Sequence, residues 1–177
     1  MGLAHATAAG WHDDGVPGMT TEEVQRFLDE PRHLVRIGTV DGSGAPHVVP
    51  TWFIVRDGTF LVTPRERSAW FSHLRADPRV CFTVDEERSP QRKVVLRGRV
   101  QVVHDLGEDD AWRDVYRAIT LRYVPEEWGD AYLEDTRDEP RALLGLRLAD
   151  AETTTWRMPE RPGEGPLEVW APRYYHR

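Results

Sequence analysis

Residues 36–86 read RIGTVDGSGAPHVVPTWFIVRDGTFLVTPRERSAWFSHLRADPRVCFTVDE, and this stretch decides the fold. A first strand is expected over 34–40 and a second over 46–55, joined by Asp41-Gly42-Ser43-Gly44, where glycine permits a tight hairpin turn. Pro50 has no N–H to give to a ladder, so its position is an edge, a bulge or a place where the sheet opens. Asp57-Gly58 makes the next turn, and a third strand covers 60–63. Thr63-Pro64 leads into a polar loop carrying Arg65, Arg67 and the hydroxyl of Ser68. Trp70, Phe71 and Leu74 lie on one face of a helix expected over 68–76. Asp77-Pro78 then precedes a fourth strand over 80–85.

Outward from this stretch the same rules place the remaining elements. Thr20 or Thr21 caps a first helix, with Glu22 and Glu23 in the first turn where the macrodipole favours acids. Val24, Phe27 and Leu28 form its apolar stripe, and Pro31 ends it. A fifth strand, 92–103, alternates Val94, Leu96, Gly98, Val100 and Val102 against Val95, Arg97, Arg99 and Gln101. Residues 108–136 are helical, with Trp112, Val115, Tyr116 and Ile119 at helix spacing and Pro125 dividing the region in two. A last strand covers 141–148 and extends toward 153–156. Six strands joined mostly by tight turns, with helices in the connections, fit a mainly β, α+β fold: a six-stranded antiparallel barrel with peripheral helices. Residues 1–18 lack periodicity and are expected to be a flexible tail, leaving 19–177 as a single domain.

Composition removes several function classes. The chain has 177 residues and a net charge of −7, which opposes general binding to nucleic acid or an anionic membrane. No apolar run approaches the roughly 20 residues that span a bilayer, and the N-terminus lacks the pattern of a signal peptide, so a cytoplasmic protein is expected. Cys81 is the single cysteine. It rules out an intrachain disulfide, and its apolar neighbours suggest a buried structural thiol. No histidine or acidic spacing suggests a metal site, and Ser68 has no motif partners for acyl transfer.

The loop after the third strand carries the functional signal. Arg65 and Arg67 offer planar forks of donors, Thr63 and Ser68 offer hydroxyls, and the following helix presents its N-terminus. Together they suit a phosphate. A phosphate held beside a barrel wall points to a phosphorylated planar ligand such as a flavin, and so to redox chemistry.

The segments EPRHLVRIGTVDGSGAPHVVPTWF, FLVTPRERSAWFSHLRADPRVCFTVDE and RKVVLRGRVQVVHD resemble the pyridoxamine 5'-phosphate oxidase-like split β-barrel family over about residues 31–105. The later ALLGLRL and TTTWRMP are similar to the closing strand and tail of one subgroup. The resemblance implies a split barrel that binds FMN in a homodimer, with two sites at the subunit interface, acting as an oxidoreductase on a small-molecule substrate. It implies that the strand His47, Val48, Val49, Pro50, Thr51 and Trp52 runs along the flavin ring, and that Thr63, Arg65, Arg67 and Ser68 hold the phosphate. Arg92-Lys93 matches a segment where flavin-using members place Arg-Gln, and Lys93 stands in the glutamine position. Trp156 and Trp170 are candidate contacts from the second subunit. The chain departs from the family at Ser68-Ala69-Trp70, where many members have Ser-x-Lys. That departure leaves the deazaflavin coenzyme F-420 as an alternative cofactor, and a non-catalytic flavin- or haem-binding protein as an alternative function. His47 is a candidate proton donor, but no catalytic residue is assigned.

Overall fold

The computed structural model describes residues 18–89 and 91–158. It contains four α-helices and nine strands. The strands are β1 (Val35–Val40), β2 (Pro46–Thr51), β3 (Phe53–Arg56), β4 (Thr59–Val62), β5 (Arg79–Asp85), β6 (Lys93–Arg99), β7 (Gln101–His104), β8 (Leu143–Arg147) and β9 (Glu152–Trp156). The helices are α1 (Thr21–Asp29), α2 (Ala69–Ala76), α3 (Arg113–Leu121) and α4 (Glu126–Asp135). All strand pairs are antiparallel, in one sheet of order β2-β1-β5-β6-β9 and another of order β3-β4-β8-β7. This is a split barrel of the α+β class. No helix among the described residues is long and apolar enough to cross a membrane.

The six expected strand segments are all present. The expected second and fifth strands, and the last with its 153–156 extension, are divided where the chain changes sheets. The second breaks at Trp52. There the Phe53 amide leaves the ladder and donates to the Tyr123 hydroxyl at 3.1 Å. The fifth breaks at Val100, whose amide bonds the Pro78 carbonyl at 2.9 Å. Residues 152–156 return to the first sheet and pair with β6.

The inner faces of both sheets close on one core. Phe53, Phe60 and Phe82 stack across the gap between the sheets, with ring centroids 4.5 and 4.9 Å apart. Val35, Ile37, Val84, Val94, Leu96, Leu144 and Leu146 are buried around them. Helix α1 adds Val24, Phe27 and Leu28, and α2 adds Trp70, Phe71 and Leu74. A smaller cluster of Leu61, Trp112, Tyr116 and Leu143 packs α3 and α4 on the outer side of the second sheet.

Local chemistry sets the element ends. Thr20 and Glu23 form a reciprocal capping box at α1. Its C-terminal carbonyls have no glycine cap. Instead Arg122 Nη2 donates to Leu28 and Glu30 at 2.8 and 2.9 Å. Asp41 Oδ1 accepts from the amides of Ser43 and Ala45, which fixes the first hairpin. Asp57 and Gly58 both have positive φ, as a two-residue hairpin turn requires.

Cys81 differs from expectation. Val80 and Phe82 point inward, so strand alternation turns Cys81 to the outer face of its sheet, where it is only half-buried.

Candidate functional site

Among the described residues, strand β2 is the edge of the first sheet, hydrogen-bonded to β1 alone. Its register sets Pro46 against Val40, Val48 against Gly38 and Pro50 against Arg36. Residues 46, 48 and 50 point their backbone polar groups the same way. Prolines at 46 and 50 leave the ladder intact only if that direction is away from β1. The open edge therefore carries one N–H, that of Val48, with the carbonyls of Pro46, Val48 and Pro50. Two prolines also protect this edge from pairing with a foreign strand.

Side chains on β2 divide between the faces. His47, Val49 and Thr51 are half-buried, while Val48 is 64% exposed on the outer face. The His47 ring meets His73 of α2 edge-on at 5.3 Å, and His73 Nδ1 lies 3.0 Å from Thr39 Oγ1. Trp52 leaves the strand and stacks flat on Tyr123, centroids 5.0 Å apart, with Tyr132 edge-on at 5.7 Å. Its ring is therefore occupied by the α3–α4 layer.

The loop between β4 and α2 holds Arg65 and Arg67, both exposed, the buried Thr63 and the half-buried Ser68. Ser68 is the N-cap of α2 but makes no side-chain capping bond, so its hydroxyl is not spent on the helix. Arg67 makes no side-chain hydrogen bond or ion pair with the described residues. Arg65 is engaged: Nη2 donates to Tyr132 Oη at 3.3 Å and Nε lies 3.0 Å from Glu139 Oε2. A recess of about 390 Å³ opens here, lined by Arg65, Glu66, Arg67, Asp138, Glu139 and Pro140. The loop by itself is cationic, but the rim is not. Glu66, Asp138 and Glu139 balance Arg65, Arg67 and Arg141.

Tyr132 joins the rim from α4. It accepts hydrogen bonds from Arg65 and, at 3.1 Å, from Arg141. Burial opposes ionisation of its phenol. The neighbouring Tyr116 hydroxyl and the guanidinium groups of Arg65 and Arg141 outweigh that and hold it below the ordinary tyrosine value. Tyr116 moves the opposite way, pushed up by burial first and by Tyr132 second.

Lys93 and Trp156 lie at the other side of the sheet. They are register partners on β6 and β9, and Lys93 Nζ stands 5.6 Å from the Trp156 ring centroid. With strands spaced about 4.8 Å, β6 is roughly 14 Å and β9 roughly 19 Å from β2. Arg92 is committed to structure. It donates to Glu30 through Nη1 and Nη2 and to Glu86 through Nε and Nη2, at 2.7 to 2.8 Å, and its guanidinium lies over Phe27. Glu30, His33 and Glu86 converge closely enough for a metal ion, but the Arg92 guanidinium already bonds both carboxylates. Trp170 lies outside the described residues.

Residues 20–155 match the family model described as pyridoxamine 5'-phosphate oxidase. The chain belongs to the pyridoxamine 5'-phosphate oxidase family. Among solved structures, this family member is similar to a conserved hypothetical protein from Mycobacterium tuberculosis, at 21% identity over 86% of this chain and 96% of that one, with a TM-score of 0.66. It is similar to an FAD-binding protein from Mesorhizobium loti at 19% identity over 81% and 98% of the two chains, with a TM-score of 0.57. It is also similar to an F420 reductase at 22% identity over 68% and 89%, with a TM-score of 0.50. Identities this low establish a shared fold. No curated protein sequence matches the chain.

Within this family member, α2, the helix that follows the rim loop, meets β2 through the His47–His73 ring contact. Tyr132, Arg141 and Glu139 are the rim residues that sequence reasoning does not find. Arg141 lies two residues before β8 and forms an isolated antiparallel bridge with Arg65, a contact between distant segments that leaves no local pattern.

Proposed function

We propose that the chain is a flavin-dependent oxidoreductase that works as a homodimer on a small-molecule substrate. The observation that carries this reading is an open β2 edge that meets α2, the helix capped by the rim loop, through the His47–His73 ring contact. The edge offers an N–H and carbonyls to the polar margin of a planar ring. The loop offers the guanidinium of Arg67, the uncommitted Ser68 hydroxyl and the first-turn amides of α2 to a phosphate. This donor set fits FMN, with His47 to Thr51 along the ring and Thr63, Arg65, Arg67 and Ser68 at the phosphate. When bound, the flavin would supply hydride or electron transfer, and the protein binds, orients and electrostatically tunes it.

The division of the candidate residues supports the homodimer. Lys93 and Trp156 sit some 14–19 Å from β2 across one sheet, so a two-fold partner is the economical way to bring such a pair to the same ring. The outer face of that sheet, with exposed Val40 and Val48 beside a recess of about 450 Å³ at Gly38, Cys81 and Gly98, is apolar enough to be covered.

A second reading keeps the fold and takes coenzyme F-420. It is favoured by a rim whose cations are all arginine, with Trp70 where a Ser-x-Lys pattern would place lysine, and by the likeness to an F420 reductase. Purified protein titrated with FMN, F-420 and haemin and followed by visible spectroscopy and sedimentation separates the readings. Saturable FMN binding to a dimer is expected. Failure to bind any of the three would end both readings, and selective haemin binding would replace them with a haem protein.

A further inference from the structure

Arg141 is the buried guanidinium of the rim. Its side chain is 7% exposed, lies 4.6 Å from the Tyr116 ring centroid, and leaves Nε without a hydrogen-bond partner among the described residues. A buried charge is expensive unless it is well paired. Its nearest carboxylate is Glu139, 3.7 Å from Nη2 and itself 47% exposed. Arg65 converges on the same partners, with Glu139 at 3.0 Å and Tyr132 Oη at 3.3 Å. Two guanidiniums thus share one phenol and one carboxylate, and the carboxylate meets Arg65 closely and Arg141 at long range. The turn that carries this carboxylate is tied to the rim loop through the Glu66 amide and the Pro140 carbonyl, 3.0 Å apart.

We propose that Arg65 and Arg141, bridged by Tyr132, form a site for a phosphate monoester, and that Glu139 is a resident competitor exchanged for the ligand's phosphate. This rests on the reading of the rim as the anion site and adds Arg141 and Glu139 to it. A phosphate monoester carries up to two negative charges and three acceptor oxygens. It therefore satisfies two forks better than one carboxylate does. Arg67 and Ser68, on the same loop, supply further donors to the remaining oxygens. Because Glu139 is about half exposed, its pairing is worth only what a surface ion pair is worth, so the exchange is easy. Neutralising it should tighten phosphate binding by about 2- to 5-fold.

The test measures binding of FMN, riboflavin and inorganic phosphate to the wild type, Glu139→Gln and Arg141→Met by calorimetry, with thermal unfolding as the folding control. Glu139→Gln should bind FMN and phosphate 2- to 5-fold tighter, with riboflavin unchanged. Arg141→Met should lose about tenfold or more in phosphate affinity. If Arg141→Met does not fold, Arg141→Lys carries the same arm, since it keeps the charge and loses the fork. Phosphate affinity unchanged in the Arg141 variant overturns the part given to Arg141. FMN bound equally by wild type and Glu139→Gln overturns the exchange while leaving the anion site standing. Absence of both FMN and phosphate binding in every variant ends the anion-site reading, and the exchange with it.

Discussion

Arg65 and Arg67 are alike in sequence and differ in what already holds them. Arg65 is bonded to Tyr132 and Glu139, whereas Arg67 has no described partner and faces the recess. Arg67→Ala should weaken FMN binding by about 1.5–3 kcal/mol, the worth of a charge-assisted hydrogen bond, and leave riboflavin binding unchanged. Fluorescence titration reads both. Arg92 is the contrasting case, a guanidinium serving stability. Its side chain is 22% exposed and that of Glu86 is 13% exposed, so the pair is neither a surface bridge nor fully buried. Arg92→Met should cost on the order of 2 kcal/mol at neutral pH. Bonding to Arg92 is the leading cause that holds Glu30 and Glu86 below their ordinary value of 4.5. Depressed carboxylates contribute stability that is present above about pH 4.5 and is lost as pH falls through their folded values. Urea midpoints of the wild type should therefore drop on acidification below that point, and those of Arg92→Met should drop less. Equal slopes would remove Arg92 from the acid response.

At the scale of elements, the informative position is where β6 hands the chain to β7 in the other sheet. Gly98 lies one residue before the end of β6, and a Cβ there would meet Leu146 Cδ1 at 2.7 Å. Leu146 is buried and cannot swing into solvent. Gly98→Ala should destabilise by about 1–3 kcal/mol, lowering Tm by roughly 3–10 °C. Gly42→Ala is the control, since nothing lies within 4 Å of its added carbon. The alternating pattern made 92–103 legible as a strand, but not its division. Period-two alternation is blind to a change of partner sheet, and the amide of Val100 had to be followed to Pro78 to find it. The break at Trp52 was hidden in the same way, because the Tyr123 hydroxyl that takes over the Phe53 amide comes from the turn between α3 and α4, far along the chain.

At the scale of the molecule, the proposal is a site completed by two copies of the chain. Val48 is well exposed on the outer face of the first sheet and adds little to the fold of one chain. Val48→Glu should leave Tm of the isolated fold nearly unchanged, since surface substitutions usually fall within about 0.5 kcal/mol. It should shift sedimentation toward monomer and weaken FMN binding in step. A variant that remains dimeric with full FMN affinity would remove that face from the interface.

The chain's own residues determined the hairpin turns, the apolar faces of the helices, the six strand segments and the position of the rim loop. Each is written in short-range periodicity and in the φ demands of glycine and proline. The tertiary structure alone decided how those strands divide between two sheets, that Arg92 is locked between Glu30 and Glu86, and that Tyr132, Arg141 and Glu139 reach the rim. Those outcomes depend on contacts between segments far apart in the chain, where burial and charge pairing, not local spacing, choose the partner.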